Sequence, residues 1–190
     1  MFAWWIKKKL DSFEKAHNYD MNYMRDMLAV SPRAVLSYAR AIQLSRYRGG
    51  LSLEAWHVVN IIGIVHEDCG ACAQLAVDLA LESGVAASPI RAVVSGDLGR
   101  LPEGSRLVAQ FARAVLHNDA AADELRAQVC EQHGREALLA IAFALTTTKM
   151  YPTVKRVLGH AHSCVRLEIA GQSLSPGLAA PEPAGTSTAA

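Results

Sequence analysis

Along most of this chain, apolar residues recur three and four positions apart, and sustained alternation of apolar and polar residues is nearly absent. The punctuation between apolar segments is that of helices. Ser31-Pro32 and Ser88-Pro89 each place a capping residue before a proline at the first helical position. In "GGLSLEAW", Gly49 and Gly50 stop one segment, and Ser52 caps the next with Glu54 in its first turn. Gly84, Gly96 and Gly134 close further periodic segments, and Pro152 interrupts another after Tyr151. The pattern predicts helices over 8–16, 21–29, 32–48, 53–66, 69–83, 89–96, 105–117, 120–133, 135–150 and 153–165. The segment 135–150, "REALLAIAFALTTTKM", is apolar around most of its circumference and is expected at the centre. From Gly171 onward the chain is small, polar and proline-rich, so a disordered tail is expected.

Composition narrows the class. The 190 residues suffice for one sizeable core, with 51% hydrophobic and 19% charged residues. A net charge of +1 makes no case for nucleic acid or an anionic membrane as partner. No apolar run reaches the length of a membrane span. The opening "MFAWWIKKKL" has its charges after a short apolar patch, the reverse of a signal peptide, so a cytoplasmic location is expected. Four cysteines are too few for a disulfide scaffold.

Candidate chemistry centres on "VHEDCGACAQLAVDLALESG", residues 65–84. Asp68 is placed to cap a helix whose first turn carries Cys69 and Cys72, with Leu75, Ala76 and Leu79 following on one face. A thiol in a first turn meets unpaired backbone N–H groups and the positive end of the helix dipole, and both favour the thiolate. The spacing brings the second sulfur within reach of the first, and Gly70 and Ala71 leave room for a substrate. Three readings follow: a redox pair, half of a zinc site, or two small residues in a core. Zinc would need further ligands, from Cys130 and His133 or from His160, His162 and Cys164. Cys130, however, follows Leu125 and Val129 on an apolar face and reads as a core position.

The stretch "GLSLEAWHVVNIIGIVHEDCGACAQLAVDLALESGV" resembles the core motif of the carboxymuconolactone decarboxylase superfamily, which includes the AhpD-like alkylhydroperoxidases. The later apolar helix and the Tyr-Pro-x-x-x-x-x-Leu-Gly segment from Tyr151 are similar to that family's second half. The likeness covers roughly 45 to 160. It divides the chain into N-terminal helices (1–48), a helical core (49–165) and a disordered tail (166–190). The resemblance implies an all-α bundle, a homo-oligomer (trimer or hexamer), and a hydroperoxide substrate reduced without cofactor or metal. By position, Cys72 would attack the peroxide and Cys69 would resolve the sulfenic acid. An external thiol or disulfide reductant would then restore the pair. The family's proton relay follows E-x(11)-C-x(2)-C-x(3)-H. Here His57 stands at the glutamate position and Ala76 at the histidine position, so His57, with His66 or Glu67, becomes the candidate relay.

Plainer readings stand beside these. His57 also fits a buried or surface histidine, and His66 and Glu67 fit residues that end one helix and begin the next. Lys7, Lys8 and Lys9 read as a solvated face, with Trp4, Trp5 and Ile6 as a membrane-surface or subunit contact. His160 and His162, two apart, point to different helix faces and read as surface residues. Tyr19, Tyr23 and methionines 21, 24 and 27 read as core or interface packing. No phosphate-binding loop, nucleophile elbow or carboxylate pair at useful spacing is present. Two alternatives to the oxidoreductase remain: a non-catalytic helical oligomer or redox sensor of the same fold, and a zinc-stabilised binding module.

Overall fold

The fold is a computed structural model that describes residues 2–161 and 166–177. It is mostly helical. Three helices, α1 (Phe2–His17), α2 (Asn22–Val30) and α3 (Pro32–Ile42), lead through a 3-10 turn at Gln43–Arg46. They are followed by α4 (Leu53–His66), α5 (Gly70–Glu82), α6 (Ala87–Ser95), α7 (Glu103–His117), α8 (Ala122–His133) and α9 (Arg135–Val157). A short hairpin, β1 (Leu167–Ile169) and β2 (Gln172–Leu174), closes the described chain.

Two of the expected caps form. Ser31 Oγ accepts from Ala34 N at 3.2 Å, and Ser52 Oγ accepts from Ala55 N at 3.1 Å. Ser88 does not cap. α6 starts earlier, at Ala87, so Ser88 and Pro89 lie inside its first turn, where a missing proline N–H costs nothing.

α4 lies at the centre, against α5, α6, α7 and α9. Val58, Val59 and Ile61 are fully buried there. Gly63 marks the closest approach of α4 to α9, since a side chain at that position would collide with Thr148 Oγ1. The residues of α1–α3 are not a separate layer. Ile6, Leu10, Tyr19, Met24, Val35 and Tyr38 join one continuous core with α4–α9.

Pro152 does not end a helix. α9 runs through it for 23 residues. A proline inside a helix removes one hydrogen bond and costs about 3 kcal/mol. Pro152 and its neighbours Thr148 and Lys155 are all buried, so packing along α9 outweighs that loss. The continuous helix also changes one expectation from the sequence: α9 is long and apolar enough to cross a membrane by length and composition. It packs against α4 and α8.

The disordered tail is corrected as far as residue 177. Leu167 and Ile169 are fully buried, and Ala170 and Gly171 both take positive φ (48° and 78°), the two-residue turn that joins tight hairpins. Gln74 on α5 pairs with the Glu168 backbone through both of its amide atoms, at 3.0 and 2.8 Å. Gly177 N donates to Val94 O at 2.8 Å. The alternation Leu167, Glu168, Ile169 is a strand signal too short to stand out beside helical periods. Residues 162–165 of the expected last helix, with His162 and Cys164, lie outside the described residues, as does the tail from 178.

Candidate functional site

α4 ends at His66, and a turn of three residues reverses the chain into α5. Asp68 was expected to cap α5. Instead it adopts a left-handed conformation (φ 48°), and Cys69 takes the capping position in extended backbone (φ −112°, ψ 96°). No side-chain hydrogen bond caps α5, whose first turn carries Cys72. Cys69 and Cys72 are joined as a disulfide, with their Cα atoms 5.3 Å apart. Both are buried, at 3% and 5% exposure.

The cover over the pair comes from the N-terminal region. The Tyr19 hydroxyl lies 3.5 Å from Cys72 Sγ in a buried contact. A disulfide sulfur carries no hydrogen, so the phenol donates. Behind Tyr19, the Nζ of Lys155 on α9 sits 4.1 Å from the Tyr19 ring centre and 5.0 Å from that of Tyr23. Tyr38 packs edge-on between Tyr23 and Tyr151, at ring separations of 6.4 and 6.2 Å. Tyr151 donates to Ser45 Oγ at 3.2 Å. Burial raises the hydroxyl pKa of Tyr19 and Tyr38 well above the usual phenol value, and pushes Tyr23 up to about 12. Burial also pulls the Lys155 ammonium below its ordinary value, with Asp20 opposing.

The expected relay residues are spread over three places. His57 lies nine residues before His66 on α4, about 14 Å away along the axis. Its ring packs on Trp56, its Nε2 is buried without a hydrogen-bond partner, and no hydrogen bond joins it to either cysteine. Burial, with the nearby Arg48 charge, pushes its pKa down to about 4. His66 faces a different space. Its ring meets His117 at 5.2 Å, and both line a cavity of about 250 Å³ with Ile62, Leu98, Arg113 and Gly177. Burial and the neighbouring His117 lower the His66 pKa. Glu67 is engaged with α9: its carboxylate binds Arg156 at 2.7 Å and Lys149 at 4.0 Å, and its carbonyl accepts from Arg156 at 2.8 Å. Of the expected residues, Cys69 and Cys72 are bonded to each other, and no hydrogen bond joins His57, His66 or Glu67 to either sulfur among the described residues.

Among the described residues, no three His, Cys, Asp or Glu side chains come together as a metal site. Cys130 is half-buried on α8, with His133 at the end of the same helix. His160, expected at the surface, contacts Asp26 at 2.6 Å.

Tyr19 and Lys155 are the groups that the sequence reading missed. The tyrosines of "NYDMNY" read as packing, and the lysine of "YPTVK" carries no signal that singles it out. No spacing rule connects positions 19, 72 and 155. Comparison of this chain with family models, with curated proteins and with solved structures found no match.

Proposed function

We propose that this chain is a thiol-dependent oxidoreductase that reduces a hydroperoxide through Cys69 and Cys72. The observation that carries the reading is the position of the two sulfurs: within bonding distance, at the start of α5, with a phenol hydroxyl on the second. In the dithiol form, Cys72 releases its proton and the thiolate attacks one oxygen of the O–O bond. That bond breaks, an S–O bond forms, and the leaving oxygen takes up the proton as an alcohol or water. Cys69 then attacks the sulfenic acid sulfur. The S–O bond breaks, water leaves, and the disulfide forms. An external dithiol returns two electrons and two protons by thiol–disulfide exchange. The free N–H groups at the start of α5 favour the thiolate throughout.

The burial of both sulfurs favours a second reading, a redox sensor or structural pair in a non-catalytic protein of this fold. Both readings include assembly of identical chains, a trimer or hexamer by the family resemblance. Large apolar side chains left on the surface, among them Trp4, Trp5, Val30, Leu139 and Val157, support such assembly.

Single-turnover reaction of the fully reduced protein with hydroperoxide separates the two readings. The parent should lose two thiols per peroxide. Cys69→Ser should stop at a trappable sulfenic acid, and Cys72→Ser should lose its fast phase altogether. A parent protein that leaves the peroxide unreacted would discard the peroxidase reading in favour of the sensor.

A further inference from the structure

We propose that Tyr19, with Lys155 behind its ring, is a positioning group that selects Cys72 rather than Cys69 as the thiolate of the pair. This inference rests on the dithiol cycle proposed above, though not on peroxide being its oxidant.

The geometry distinguishes the two sulfurs. Tyr19 is 6% exposed, and its hydroxyl is held against Cys72 Sγ at 3.5 Å. Among the described residues no side-chain hydrogen bond to Cys69 corresponds to it, and Cys69, at the cap position, makes no side-chain cap hydrogen bond. Against the disulfide the phenol can only donate, and the Tyr23 hydroxyl, which also bonds Tyr19, can itself supply the hydrogen of that second contact. A thiolate can only accept. When the disulfide opens, the arrangement therefore suits a Cys72 thiolate without rearrangement, and a hydrogen bond to a charged acceptor is stronger than one to a neutral acceptor. Burial keeps Tyr19 protonated across the range in which thiols titrate, so it remains a donor rather than a competing anion.

Lys155 acts through Tyr19. Its stem is buried at 3% exposure, and its Nζ lies over the face of the ring at 4.1 Å. A cation there draws electron density from the phenol and strengthens its O–H as a donor. The other ionisable groups of this region among the described residues include Asp20 beside Tyr19, Tyr23 on α2, Tyr38 on α3, Tyr151 on α9, and Glu67 and Asp68 in the turn before the pair. Asp20 favours the Lys155 charge. Glu67 is paired with Arg156, so its charge is compensated.

The test is ultraviolet titration of thiolate absorbance in the reduced protein, which needs no reagent to reach a buried sulfur. In a Cys69→Ser background, Tyr19→Phe keeps the ring against Phe13 and under Lys155 and removes only the hydroxyl. The Cys72 midpoint should rise by about one pH unit, close to a tenfold loss of thiolate at pH values well below both midpoints. Lys155→Met should move it the same way by less. In a Cys72→Ser background, Tyr19→Phe should leave the Cys69 midpoint unchanged. Circular dichroism checks that each variant is folded. Superimposable Cys72 titrations with and without the hydroxyl would overturn the proposal. So would equal shifts at both cysteines, which mark a general change in packing. A shift confined to Cys72 supports it, even in a protein that reduces no hydroperoxide. Peroxide reduction that continues with unshifted titrations would remove Tyr19 and leave the dithiol cycle standing.

Discussion

His57 stands twelve positions before Cys69, where the resembled pattern has a carboxylate, and that resemblance makes it the candidate base for the pair. Its surroundings assign it other properties. A buried imidazole with a pKa near 4 stays neutral in the fold, and it is a weak base at neutral pH. The unfolded chain returns it to about 6.5, so between these values the unfolded state binds more protons. Stability is thus complete above about pH 6.5 and is lost as the pH falls towards 4. Urea unfolding from pH 7.5 to 4 should show this decline in the parent, and His57→Leu should flatten it. At neutral pH the variant should lie within about 1 kcal/mol of the parent, because removing an unsatisfied buried nitrogen offsets the change of shape. Equal pH slopes in both proteins would show that His57 is not the titrating group. At this scale the sequence located the two cysteines and could not locate their neighbours. Motif spacing fixes contacts within one turn of helix, whereas Tyr19 reaches Cys72 across 53 positions.

At the scale of elements, the segments with clear caps were the most legible. Leu53–His66 has the bounds that Ser52 and the following turn predict. Errors came where packing overrides local preference. Pro152 breaks isolated helices, yet α9 continues through it because Pro152 and the residues on either side of it, Thr148 and Lys155, are buried in the bundle. Leu167 and Ile169 lie beside a polar tail, yet they dock on the bundle because Gln74 completes the Glu168 backbone bonds. The N-terminal helices lie outside the family likeness, but α1 and the turn after it carry the aromatic cover of the pair. α1 also leaves Trp4 and Trp5 on the surface, 65% and 51% exposed, flanked by Lys8 and Lys9 over their rings. If that face joins copies of the chain, light scattering at micromolar concentration should give a mass of several chains, and Trp4→Ser with Trp5→Ser should lower it. A parent mass equal to one chain would end the assembly proposal.

Across the whole molecule, the candidate site is drawn from three distant regions: Tyr19 from the first helices, Cys69 and Cys72 from the middle, and Lys155 from the last helix. Such a site exists only in the folded chain, and for that reason the sequence showed its sulfurs and not its wall. The wall also sets conditions on the chemistry. In the proposed cycle, a hydroperoxide and an external reductant must both reach cysteines that are 5% and 3% exposed. The claim that holds the account together is that this buried pair cycles between dithiol and disulfide while the protein stays folded. Peptide mass mapping of the native protein, first reduced without denaturant and then treated with stoichiometric hydroperoxide, tests it most directly. The peptide bearing Cys69 and Cys72 should gain two hydrogens on reduction and lose them again on oxidation. A pair that stays oxidised until the protein is unfolded, or stays reduced while only Cys130 or Cys164 reacts, would contradict the account.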